Sequence, residues 1–242
     1  MKRFRDPEKT LRRNLWASFR LAVVLAAAAA VLFGCASLSP LPGEDLVLAA
    51  RKMYTSLDSA RVSVVNGFTG ETEQEFVFKY DEKGLMTYSY VGRSEGVYLA
   101  QYNNGREQFT NDNGSVSALD ASDLSFTAYS RDVPYPMAGE GMILFYKKGV
   151  TSAGTVSSDD GGTVVNYGYD VHKLGEYDGE GELAGFSVSY RFDSDGEFVS
   201  MDQRTDVNID GEIVSYLYTI YINDRNSVER VENVVDISSL DN

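Results

Sequence analysis

The chain has 242 residues, with 36 acidic and 22 basic side chains, a formal charge of −14, one cysteine and one histidine. An acidic field repels phosphate backbones, so nucleic-acid binding is excluded. A lone histidine rules out paired-histidine zinc sites, and a lone cysteine rules out an internal disulfide.

The charge is unevenly spread. Lys2, Arg3, Arg5, Lys9, Arg12, Arg13 and Arg20 face only Asp6 and Glu8 in the first 20 residues, and residues 21–34 carry no charge. A basic start, a short apolar run and small residues near its end form a secretory signal. The run is shorter than the roughly 20 apolar residues of a spanning helix, which disfavours an uncleaved signal anchor. Leu32-Phe33-Gly34-Cys35 closes it and resembles the lipobox of bacterial lipoproteins, with Phe33 standing where that family has a smaller residue. The resemblance implies cleavage before Cys35 and a diacylglyceryl group on its thiol, holding the protein on the extracytoplasmic face of a membrane. The small-residue stop Ala36-Ser37 offers an ordinary signal peptidase an alternative site. Without residues 1–34 the chain keeps 15 basic and 34 acidic residues, a formal charge of −19. The expected organisation is a signal at 1–34, a tether at 35–43 containing Pro40, Pro42 and Gly43, and a single β-rich domain at 44–242.

Glu44 and Asp45 open a helical pattern, acids in the first turn being favoured by the helix dipole. Leu46, Ala49, Ala50, Met53, Tyr54 and Leu57 make its apolar stripe. From Arg61 the period becomes two. Phe76, Phe78 and Tyr80 form one strand face, and Met86, Tyr88 and Tyr90 the next. Turns are expected at Asn103-Asn104-Gly105 and Asp112-Asn113-Gly114, where hairpins favour Asn and Gly. Asp120 or Ser122 is placed to cap a short helix, Pro134 and Pro136 force an extended kink, and residues 137–148 lean towards a helix despite Gly139 and Gly141. Strand rhythm returns with Val165, Tyr167, Tyr169 and Val171, then Phe186, Val188, Tyr190 and Phe192. Residues 213–222 are apolar on both faces, which predicts a strand buried on both sides and lying under the helix.

Three stretches share a frame of Asx, acid, Gly, Glu and apolar residue: 177–183, 192–198 and 207–213. They read as hairpin turns. A calcium loop needs oxygen donors at wider spacing than Asp193, Asp195 and Glu197 offer. His172 is expected on a strand with a surface or packing role. No Gly-rich phosphate loop with a following Lys and no G-x-S-x-G motif is present. The expectation is therefore a non-enzyme with no catalytic residues, no metal and no cofactor.

The positive feature is 16 Tyr and 12 Phe. Stacked along alternating strands, they are either sealed sheet packing or the wall of a ligand cavity. The order of elements, with a lipoprotein signal, helix, antiparallel strands, a Met-bearing insertion and further strands, resembles the LolA/LolB-like group, including LppX-type lipoproteins. The resemblance implies a mainly β (α+β) fold. It is a curved antiparallel sheet or open half-barrel, covered by an N-terminal helix and a short central helical lid. It also implies a lipid or acyl chain in the concavity. The candidate lining and lid residues are Phe76, Phe78, Tyr88, Tyr90, Met137, Met142, Leu144, Phe145, Tyr167, Tyr169, Phe186 and Tyr190. The competing reading is a non-catalytic surface interaction or structural lipoprotein without a cavity.

Overall fold

In the computed structural model the described residues are 39–94, 96–139, 143–175, 177 and 179–238. The basic start, the apolar run, Cys35 and Met142 lie outside them.

Among the described residues one α-helix, α1 (Glu44–Thr55), precedes eleven strands. They are β1 (Ser59–Asn66), β2 (Thr72–Tyr80), β3 (Met86–Ser94), β4 (Val97–Asn103), β5 (Glu107–Asp112), β6 (Ser115–Asp120), β7 (Thr151–Asp159), β8 (Gly162–Tyr169), β9 (Glu182–Phe192), β10 (Phe198–Ile209) and β11 (Glu212–Asn223). All pair antiparallel in one curved sheet of order β6-β5-β4-β3-β2-β1-β11-β10-β9-β8-β7, which does not close into a barrel. The chain thus begins at the centre of the sheet, meanders to one edge, crosses to the other edge and meanders back to its starting strand.

Local chemistry explains the meanders. Asn113 (φ 50°) and Gly114 (φ 90°) link β5 to β6, and Asp210 (φ 53°) and Gly211 (φ 91°) link β10 to β11. Two successive left-handed residues match the strand twist, and Asn, Asp and Gly tolerate them at least cost. The turn before Phe198 is built by Asp193, whose carboxylate accepts the amide N–H groups of Asp195 and Glu197 at 2.9 Å.

The concave face holds the core. Phe76, Phe78, Met86, Tyr88, Val165, Tyr167, Val188 and Tyr190 are fully buried, as the period of two predicts. Helix α1 covers this face with Val47, Ala50 and Tyr54, so of the expected stripe Ala50, Tyr54 and the following Leu57 are buried and Ala49 alone is exposed. Leu46 and Met53 pack at its margins. On the convex face, Val228 and Val231 of the C-terminal segment pack on Val77 and Tyr102. Lys79 donates to the carbonyls of Val228 (2.9 Å) and Glu229 (2.8 Å), fixing that segment across the sheet.

Three expectations are corrected. Residues 137–148 form no α-helix among those described. Instead an irregular strap (134–139 and 143–150) has single 3-10 turns at Pro136–Ala138 and Lys148–Val150. Pro134 and Pro136 lack amide donors and favour extended backbone at the start of the strap, and Gly139 adds the backbone entropy that disfavours a helix, outweighing the apolar content. The stretch after Asp120 is a turn rather than a capped helix, with the Asp120 carboxylate taken by Ser122. His172 stands exposed in a 3-10 turn (Val171–Lys173), not on a strand.

β11 also departs from expectation. Ile220 and Ile222 are buried, but Ile213, Val214, Tyr216 and Tyr221 are exposed. The strand is central to the sheet, yet its first half is not covered on both faces.

Candidate functional site

The aromatic residues singled out by alternation converge on the concave face, in two groups bridged by the strap and α1. Beside β2 and β3, Phe76 stacks on Phe78 (ring centroids 5.4 Å apart) and on Tyr135 of the strap (5.3 Å). Tyr135 also stacks on Tyr88 at 4.2 Å. Tyr90 reaches Gln74 with its hydroxyl at 3.2 Å, and Tyr54 of α1 meets Phe78 edge-on. Beside β8 and β9, Phe145 of the strap packs edge-on against Tyr169 (5.1 Å) and Phe186 (5.0 Å). Tyr167 lies near Tyr190 there, and Tyr146 of the strap tilts over Tyr167. Met137 and Leu144 are buried in the same core. The structure therefore places all eleven described candidates in one cluster, Met142 lying outside the described residues.

Sequence alternation did not single out Tyr135 or Tyr146, because both lie in the strap, where no period applies. The readable signal was Pro134-Tyr135-Pro136, since two flanking prolines hold the tyrosine in extended backbone.

The strap is held by side chains from beneath. Tyr54 donates its hydroxyl to the Met137 carbonyl at 2.5 Å, and Tyr190 donates to the Phe145 carbonyl. Burial raises both phenols well above their ordinary value, so they remain neutral donors at physiological pH. Arg51 donates to the Tyr146 carbonyl at 3.0 Å. Strap carbonyls that lack ladder partners are thus satisfied by the core's own polar tips.

Glu44 closes the arrangement at the start of α1. Its carboxylate accepts from Tyr146 (2.5 Å), Lys148 (2.8 Å) and the Leu41 amide (2.9 Å), tying strap, helix and preceding segment together. Burial alone would raise this carboxyl, but the Lys148, Tyr146 and Leu41 hydrogen bonds outweigh it and hold the group below its usual range. Tyr167 is pushed up to about 12 by burial and then by the Glu44 and Asp45 charges, and its hydroxyl donates to the Pro42 carbonyl at 2.8 Å. Gly43 sits between them at φ 67°, where a side chain would meet Val165 at 2.6 Å. The segment just before the helix is therefore docked from Leu41 onward.

A depressed carboxyl contributes stability above its unfolded value and loses it as pH falls through the folded one. Glu44→Gln is expected to lower stability by about 1–2 kcal/mol at pH 7, the loss of charge-assisted hydrogen bonds. That difference from the parent should fade below roughly pH 4.3, where the carboxyl of the unfolded chain is itself neutral. Urea unfolding of both proteins across pH measures it, and a pH-independent difference would refute the assignment.

An open polar cleft of about 570 Å³ lies at the end of β2, lined by Asp58, Tyr80, Asp81, Glu82, Lys83, Gly84, Ser130, Arg131 and Asp132. Its central cation is already engaged, because Arg131 pairs with Asp58 and sits 4.3 Å over the Tyr80 ring. No group of His, Cys, Asp and Glu suited to a metal ion occurs among the described residues. No described helix is long and apolar enough to cross a membrane.

No protein-family model matches the chain, and no curated protein matches it. Among solved structures it is similar to LprF from Mycobacterium bovis, with a TM-score of 0.44 and 13% sequence identity, over 81% of this chain and all of that one.

Proposed function

We propose that the protein is an envelope lipoprotein, tethered through Cys35, whose half-barrel takes an apolar ligand, a lipid or acyl chain, between sheet and strap. The observation that carries this reading is the roof of the concave face. An aromatic wall drawn from β2, β3, β8 and β9 is covered by one helix and an irregular strap rather than by a second sheet. The strap is held by its buried Met137, Leu144 and Phe145 and stacked Tyr135, contacts that an apolar ligand can replace. Single hydrogen bonds also hold it, with a net contribution of about 1 kcal/mol each. Lifting it breaks no ladder within the sheet. Apolar ligand surface entering beneath it gains about 25 cal/mol per Å². The candidate contacts are Phe76, Phe78, Tyr88, Tyr90 and Met137 on one side and Leu144, Phe145, Tyr167, Tyr169, Phe186 and Tyr190 on the other, with Met142 in the lid. The role is binding without chemistry, and the membrane supplies or receives the ligand.

The second reading, an interaction lipoprotein with a filled core, is favoured by the ring-to-ring packing of both aromatic groups. Native mass spectrometry of the chain from Ala36 onward separates the two. A co-purified lipid mass, with saturable uptake of a fluorescent fatty acid, is expected for the carrier. Bare protein with no saturable uptake would establish the filled core instead.

A further inference from the structure

The β10–β11 hairpin overhangs its neighbour, and the cause lies in Asn66. Its side-chain carbonyl accepts the amides of Phe68 (2.9 Å) and Thr69 (3.2 Å), and its backbone carbonyl accepts the Gly70 amide at 2.8 Å. This turn ends β1 and carries the chain away. The β1–β11 register accordingly stops at Asn66 opposite Tyr218, followed by one last bond from the Gly67 N–H to the Leu217 carbonyl at 2.7 Å. β11 begins at Glu212, and those first residues pair with β10 alone.

In an antiparallel ladder, alternate residues turn their backbone groups to the same side. Leu217 bonds towards β1, so Ser215 and Ile213 present N–H and C=O on that same side, where no described strand lies. The side chains flanking this bare edge are apolar and open: Ile213 is 58% exposed, Val214 and Tyr216 37%, and Phe68 of the adjoining turn 66%. Natural sheets guard such edges with lysine, proline or a covering element, and among the described residues none of these pairs with it. The charge around it is mainly acidic: Glu71, Glu73, Asp210 and Glu212 stand beside Glu75 and Asp206, which pair with Arg61 and Arg204. Arg204 also donates to the Ser215 hydroxyl at 3.1 Å.

We infer that the Glu212–Leu217 edge is a strand-addition site for an extended polypeptide segment that alternates apolar and basic side chains. Backbone pairing with Ile213 and Ser215 supplies the register, Val214 and Tyr216 on one face and Ile213 on the other supply apolar contact, and the acids select the sign of the partner's charge. The site lies on the overhanging start of a central strand, where Val214 and Tyr216 share the face of the core residues Ile220 and Ile222. Its backbone pairing does not depend on a ligand beneath the strap.

A short peptide alternating Lys and Val is the probe, added to the chain from Ala36 onward, which contains every strand and the whole core. Binding should protect the Ile213 and Ser215 amides from hydrogen exchange and weaken with added salt. It should fall at least about tenfold when alternate peptide nitrogens are methylated, and likewise with Ile213→Pro, since proline is tolerated on an open edge but cannot pair. Ile213→Lys, which keeps the backbone and adds a like charge, should weaken it as well and serves where the proline variant fails to fold. Equal binding of the methylated peptide, protection elsewhere on the sheet, or equal binding of an alternating Glu and Val peptide would overturn the inference. So would a concentration-dependent dimer that Ile213→Pro abolishes, which would give the edge to a second copy of this chain.

Discussion

Cys35→Ser is expected to move the protein from the membrane fraction to the soluble fraction almost completely. A single acyl chain binds membranes only marginally, with an association constant of about 10⁴ M⁻¹, and stable anchoring needs a second chain or another signal. The chain from Cys35 onward provides no electrostatic substitute, because its formal charge of −19 repels anionic head groups. No described helix is long and apolar enough to cross a membrane. Cys35 is also the only thiol, so the substitution removes no disulfide and leaves the sheet untouched. Membrane fractionation with a label for protein-bound acyl chains measures the effect. Retention of Cys35→Ser in the membrane would show that residues 1–34 stay attached as an anchor, and the lipobox reading would fall.

Phe76→Ala should be the most destabilising single truncation on the concave face, by about 3–5 kcal/mol. Its ring is fully buried, lies at the middle of β2 between Val62 and Tyr90, and touches Phe78, Tyr88 and Tyr135. Removing it takes away burial and also the platform on which the strap's Tyr135 rests. Domains are stable by only about 5–15 kcal/mol, so the urea midpoint should drop by a large fraction. Phe68→Ala, on an open turn, is the comparison and should change stability by under about 0.5 kcal/mol. A loss below about 1 kcal/mol for Phe76→Ala would mean that the ring faces existing empty space, and the filled-core reading would then be the one to abandon.

The strands were legible because their chemistry is local. Phe76, Phe78, Tyr88, Tyr90, Tyr167 and Tyr190 recur at every second position, mostly with polar neighbours, and one buried face demands that period. Val77 is apolar because Val228 and Val231 cover it on the other face. The hairpin turns were legible for the same reason, Asn113-Gly114 being nearly self-sufficient. The strap was not, because its path is set by distant donors: Tyr54, Arg51 and Tyr190 fix its carbonyls, and no window of sequence includes both partners. The apolar stripe of α1 is legible too: Ala50, Tyr54 and Leu57 are buried and Leu46 and Met53 pack beside them, with Val47 rather than Ala49 completing the buried face. The exposed half of β11 looked like a doubly buried strand because apolar content alone cannot distinguish a covered face from an overhang. The deciding residue, Asn66, is some 150 positions away.

The strand order sets a timetable for maturation. β1 is the first strand made and β11 the last, yet they are neighbours at the middle of the sheet, with Arg61 opposite Asn223. Until the final strand arrives, two half-sheets exist, each with a raw inner border that nothing local can cover. Contacts this distant in sequence slow folding and lengthen exposure to aggregation. A nascent chain therefore cannot complete its sheet strand by strand, and must wait for its C-terminus before the seam is sewn. Truncation anywhere before β11 should yield insoluble material, not a smaller stable domain.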